Sequence, residues 1–489
     1  NFHLYGLTAM GVADTAAHLV DANNATGVAE ATEFTITDSP TAAQAKTITS
    51  WSNYVAETGA TVDIADSSAN LLASTNSGTV GAADSVTLTG TANIVSVAQA
   101  TTLNGLPSFT KGNGATLVIE DTGANVIAGN ANAVALADEL DLHSATVTAA
   151  QAKTLAALNT PLKANTDLTV EDSADNILLA NADVSLATLF KLTGAATAAQ
   201  AKTLLAMGNF ALDVSAGATL DIADDKAGIL LAANSGAVAA ADSVTLTGTS
   251  NSVNIADATL LAATPNFSVD TGAGATLVIA DTAANILAAP SVAAFATAFD
   301  VSGAVMDAGK ARGLAALDNF VLDGSTAMEV QDTAANLLMA TNSAGLAKAT
   351  VVTLIGTANT VTAAQAKTLA GLGVGGNAFA RDNGSGSGHN SNTAAALLVS
   401  DTAANILSTS NPDNSAGVAF ATKFQVKGSA TVTQADALAA LTNWTLAPNT
   451  ALVVSGSADD LIAASAGVGI ATAFQVTGTV TAAQATSLA

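Results

Sequence analysis

The sequence predicts a repeat solenoid: a parallel β-solenoid with short α-helical turns, built from about nine units of 51–69 residues. Three observations predict it. A strand–aspartate–helix phrase, clearest in TLVIADTAANILAA at positions 276–289, recurs along the chain and places Asp14, Asp66, Asp121, Asp172, Asp224, Asp281, Asp332 and Asp401 at matching positions, with Gly456 in a ninth copy. The steps between them are 52, 55, 51, 52, 57, 51, 69 and 55 residues, a period that belongs to arrays of stacked supersecondary units. Apolar residues make up 49% of the chain and aromatics only 3%, which suits thin, regular layers of Ala, Val, Ile and Leu.

Each unit carries three apolar strands, named C, A and B in chain order. The first unit has strand C at 1–4, strand A at 10–12 before Asp14, and strand B at 34–36. Strand A keeps apolar residues four and two positions before the aspartate site, as in Leu117/Ile119, Leu277/Ile279 and Leu452/Val454, while the residue between them varies. Period two with one constant face means that one side is buried. The aspartate then opens an alanine-rich helix, where its carboxylate can accept hydrogen bonds from the unpaired N–H groups of the first turn.

Strand B repeats the pattern in Val86/Leu88, Phe190/Leu192, Phe424/Val426 and Phe474/Val476, usually before a glycine turn such as Gly90 or Gly194. A second helix follows, opening on a capping box in Thr41–Gln44, Ser96–Gln99, Thr148–Gln151, Thr197–Gln200, Thr362–Gln365 and Thr481–Gln484. The copies at 255–261 and 306–314 lack the glutamine. Strand C brings in Phe210, Phe267, Phe320 and Trp444, which read as core fillers at a corner.

Strands separated by helices run parallel, about 4.8 Å apart. If A and B alternate within one sheet, each unit advances about 9.6 Å and nine units about 85 Å. The other geometry puts C, A and B on three faces of one large coil. Either way residues 1–489 form a single array, with units starting near 1, 53, 108, 161, 209, 266, 319, 378 and 443. The long step holds a Gly/Ser-rich segment, 371–392, that reads as an inserted surface loop.

Composition excludes several functions. With 39 acidic against 14 basic side chains and a net charge of −25, a basic surface for nucleic acid or anionic lipid is missing. No run of about 18 apolar residues spans a bilayer. The chain has no cysteine, which removes disulfides and thiolate metal sites. Gly371, Gly373 and Gly376 match G-x-G-x-x-G, but no strand leads in, no helix follows, and no acidic residue stands near 396. His3, His18, His143 and His389 lie scattered, without metal-ligand spacing.

No nucleophile–base pair or paired catalytic acids recur, and the only arginines are Arg312 and Arg381. An enzyme is therefore not expected, and no cofactor. TLT at 87–89 and 245–247 occurs in too few units for an ice-binding face. The aspartate ladder is the one feature that could gather an ion, calcium, and the candidates with a second acid beside them are Glu120/Asp121, Glu171/Asp172 and Asp224/Asp225. Helix capping by the ladder is the simpler reading.

DTAANIL at 281–287 and 401–407, with TAAQAKTLAAL at 148–158, resembles the strand–DTAAN–helix repeats of long secreted surface proteins of alphaproteobacteria and cyanobacteria. Some of those chains carry haemolysin-type calcium repeats and leave the cell by type I secretion. The resemblance implies an extracellular or cell-surface structural role, in a layer or filament, and carries over no catalytic residue. An adhesin stalk or phage fibre is the alternative, with a cell-surface glycan as partner. Phe2 and Leu4 at one extreme and Phe474 and Val476 at the other belong to ordinary apolar units rather than polar caps, so two expectations stand side by side: a second copy stacked head to tail, or a longer chain in which the same repeats run on.

Overall fold

A computed structural model describes residues 9–143, 145–303, 305–324, 326–372, 378–384, 394–410, 413–463 and 465–489. Phe2, Leu4, His3, His389, Gly373, Gly376 and most of the 371–392 segment lie outside them. The chain divides into two compact units, Asn1–Asp224 with Leu231–Val244, and Asp225–Leu230 with Thr245–Ala489.

In the first unit, strand A occurs as Gly11–Asp14, Asp63–Asp66, Leu117–Thr122 and Thr169–Asp172. Each pairs in parallel with strand B of its own repeat, in the registers Val12↔Phe34, Ile64↔Val86, Ile119↔Leu140 and Val170↔Phe190. Strand C joins the outer edge of the preceding repeat's strand B, by bridges such as Phe34↔Ala56 and Phe190↔Leu212. A fourth strand, D, which the repeat pattern does not announce, follows the glycine turn after strand B and pairs with strand A of the next repeat. Asn93–Val95 and Thr146–Val147 are its longest copies in this unit.

The second unit keeps this order. Asn251–Val253, Leu277–Thr282 and Ala298–Ser302 form one D–A–B sheet. Val305–Met306, Glu329–Asp332, Val351–Leu354 and Ala378–Arg381 form a four-stranded sheet that includes strand C. Two further D–A–B sheets are centred on Leu397–Asp401 and Val453–Gly456.

Strands A and B therefore share a sheet, but each sheet holds a single A–B pair. Among the described residues the long alternating sheet does not form, because the flanking positions are taken by D and C, whose few residues end the ladder. These pairings are all parallel, as the intervening helices require.

The inner faces of the sheets bury Leu117, Ile119, Leu140 and Phe190 in the first unit, and Leu277, Ile279, Phe299 and Phe424 in the second, each at most 1% exposed. Burying one such side chain contributes about 1.5–3 kcal/mol. Strand C aromatics pack on strand B phenylalanines: Phe210 on Phe190, Phe320 on Phe299 and Trp444 on Phe424, with ring centroids 5.1–5.4 Å apart.

The helices run from four to nine residues, too short to persist alone, and depend on packing against neighbours. The longest class, such as Ala149–Ala157 and Ala363–Gly371, carries the expected capping boxes, and Thr431–Gln434 adds another. Where glutamine is missing, Asn254 and Asp307 serve as N-caps. A short helix also precedes strand B, for example Ser343–Leu346 and Ser415–Val418. It lies against the long helix of the preceding repeat, so closely that a Cβ on Gly345 would stand 2.4 Å from the Ala311 carbonyl carbon, and one on Gly417 2.1 Å from the Lys367 nitrogen. Only glycine permits that backbone-to-backbone approach.

Candidate functional site

The ladder aspartates end strand A at the point where three elements meet. At Asp66, Asp121, Asp281, Asp332 and Asp401 the N-cap is the next residue, a Ser or Thr, and the aspartate stands just ahead of it. Oδ1 of Asp66 accepts from the Ser67 N–H at 2.8 Å and from Asn70 Nδ2 at 2.8 Å. Its Oδ2 accepts at 3.0 Å from the N–H of Ala42, the first residue of the preceding repeat's long helix.

The same three bonds recur at Asp121, with Thr122, Asn125 and Val97, and at Asp172, with Ser173, Asn176 and Ala149. In the second unit they recur at Asp281, with Thr282, Asn285 and Ile255, at Asp332, with Thr333, Asn336 and Ala308, and at Asp401, with Thr402, Asn405 and Ala363. Asp224 Oδ2 receives the Ala198 N–H at 3.0 Å. One carboxylate thus fixes its own helix and seizes the start of the helix one repeat back. Both termini would otherwise leave N–H groups unpaired.

Charge follows from these bonds. At Asp121, Asp172 and Asp401 burial opposes ionisation, but the donors, led by the asparagine side chain, outweigh it and hold the carboxyls below the ordinary range. At Asp281 burial is likewise outweighed, here first by the Ile255 N–H. Asp14 differs: His18 takes the asparagine's place, with Nδ1 2.9 Å from Asp14 Oδ1, which lowers the carboxyl and raises the imidazole.

The second acids of the calcium candidates turn to other partners. Glu120 pairs with His143 at 2.5 Å and Glu171 with Lys191 at 2.9 Å, both on the outer sheet face, while Asp225 Oδ1 accepts the Gly228 N–H. Among the described residues, no three His, Cys, Asp or Glu side chains converge as a metal cluster.

Two sets of asparagines complete the frame, and the strand and cap pattern does not point to them. Buried Asn93, Asn251 and Asn359 on strand D each accept an N–H from the first helix, of Ser68, Lys226 and Ala334, and donate to three carbonyls. Their signal is the Gly-Thr-x-Asn that follows strand B. Asn53, Asn209, Asn319 and Asn443 donate to carbonyls at the end of the short helix and just past it, such as Val418 and Ala421. Each stands directly before an aromatic residue.

Of the expected assembly residues, Phe474 and Val476 are 48% and 38% exposed, whereas Phe34, Phe190, Phe299 and Phe424 at the position equivalent to Phe474 are buried. No helix among the described residues is long and apolar enough to cross a membrane.

No family model matches the chain. Over 285 residues, 55% of its length, it is 32% identical to a protein of Synechocystis sp. called an S-layer protein. The matched stretch covers 15% of that relative, so the chain spans only a small part of it.

Proposed function

We propose that the chain is a non-catalytic structural protein of a cell-surface or extracellular layer, with the repeats of each unit stacked as a parallel β-solenoid. The observation that carries this reading is the ladder. Its carboxylates, the most regular chemistry in the sequence, are occupied by internal N–H and amide donors that tie each repeat to the next. Groups held in that way build a frame and are not open to a substrate or to calcium. The likeness to an S-layer protein supports the same class.

Assembly in this reading runs through repeat faces. The contact proposed between copies uses Phe474 and Val476 of the strand Ala473–Val476, both exposed.

Electron microscopy of the purified chain tests this. Ordered sheets or filaments, lost on Val476→Asp, are expected. Persistence of the polymers in that variant refutes the contact, and cleavage of a surface glycan by the chain refutes the non-catalytic assignment. Isolated fibres bound to a glycan through one end would instead favour an adhesin stalk or phage fibre.

A further inference from the structure

The ladder is chemically the same from repeat to repeat, so by itself it cannot distinguish a correct neighbour from a wrong one. Arrays of near-identical repeats are prone to misassembly and swapping for this reason. Something else must mark which faces belong together.

The first residue of the long helix is alanine at positions 42, 149, 198, 308, 363 and 482, but valine at 97 and 432 and isoleucine at 255. Both valines meet a glycine of the following repeat. A Cβ on Gly129 would stand 2.3 Å from Val97 Cγ1, and one on Gly456 would stand 2.9 Å from Val432 Cγ2. Gly129 has φ −72° and ψ 169°, a backbone any residue adopts, and neither glycine is in the left-handed region. Conformation therefore does not explain them; the missing Cβ does. Valine is stiff at χ1 and cannot swing its methyl aside cheaply. Ile255 lacks such a glycine; Val97 is buried, while Val432 and Ile255 are both half-exposed.

We propose that Val97/Gly129 and Val432/Gly456 are neighbour-specificity elements, in which a knob on one repeat is accepted only by a following repeat that carries the matching gap. The knob sits on the ladder itself, because the Val97 N–H donates to Asp121 Oδ2.

A double-mutant cycle on the full chain, read by amide hydrogen exchange and thermal melting, tests the first pair. Gly129→Ala should speed exchange of the residue 97 amide at least about tenfold and lower the melting temperature by about 3 °C or more. In the Val97→Ala background the same Gly129→Ala change should have a much smaller effect on both readouts, leaving only the Asn125 and Val126 carbonyls 3.2 and 3.4 Å from the added Cβ. Equal effects in both backgrounds, or no effect in the native one, overturn the proposal. Gly456→Ala with and without Val432→Ala repeats the test in the second unit and must give the same pattern.

Discussion

Replacing Asp401 with alanine removes three hydrogen bonds at once, from Thr402 N, Asn405 Nδ2 and Ala363 N. The losses are unequal. Thr402 and Asn405 are exposed and regain water, whereas Ala363 is fully buried and its N–H is left without an acceptor. An orphaned buried donor costs about 1–3 kcal/mol, and loss of support at a helix start about another 1 kcal/mol. Together Asp401→Ala should cost about 2–4 kcal/mol, felt between two repeats. Because repeat arrays do not unfold in one step, amide exchange is the suitable assay. The Ala363 amide should exchange about 30- to 1,000-fold faster. Asp401→Asn should be nearly as harmful, since its NH2 must face one of the existing donors. Asp14→Ala, whose carboxylate among the described residues bonds Thr15 and His18 of its own repeat, is the control. The reasoning fails if Ala363 exchange changes less than about threefold, or if the control matches Asp401→Ala.

The depressed carboxyls of Asp121, Asp172, Asp281 and Asp401 contribute stability that is complete above their unfolded value, 3.8, and is lost as pH falls through the lower folded values. Urea midpoints should therefore be flat from neutral pH to about 4 and drop below it. His18 has the opposite sign: its raised pKa favours the pairing with Asp14 below 6.5, and the pairing is lost as pH rises through the folded value, which an NMR titration of the imidazole would follow. Gly417→Ala places a methyl against the Lys367 backbone and should cost about 3 kcal/mol or more, because backbone cannot move aside as a side chain can; calorimetry reads it. Chelation should leave the melting temperature unchanged, since the ladder oxygens already hold internal donors; a fall of several degrees in EDTA would restore the calcium reading.

The apolar period of strands A and B is legible because every repeat restates it. Those positions are buried throughout save in the strand Ala473–Val476 and at half-buried Met10, Val12, Val62 and Leu192. Strand D is not legible, because two or three residues carry no measurable period, as with Thr146–Val147. The short helices before strand B escape for the same reason, and their glycines read as turns when Gly345 and Gly417 mark helix contacts. The aspartates can be placed along the chain, but the reach of Asp66 Oδ2 to Ala42, 24 residues back, depends on the stacking of repeats, which local capping rules do not contain. The asparagines fail to stand out for a related cause: an Asn between a helix and an aromatic looks like a turn residue until its carbonyl partners are known.

Cryo-electron tomography of the native cell surface, with the chain located by a specific antibody label, tests the central claim most directly. The account predicts label on an ordered, repeating surface layer or filament whose averaged density accommodates short parallel sheets flanked by helices. Label confined to the cell interior, or to dispersed particles with no repeating contact between copies, would contradict it.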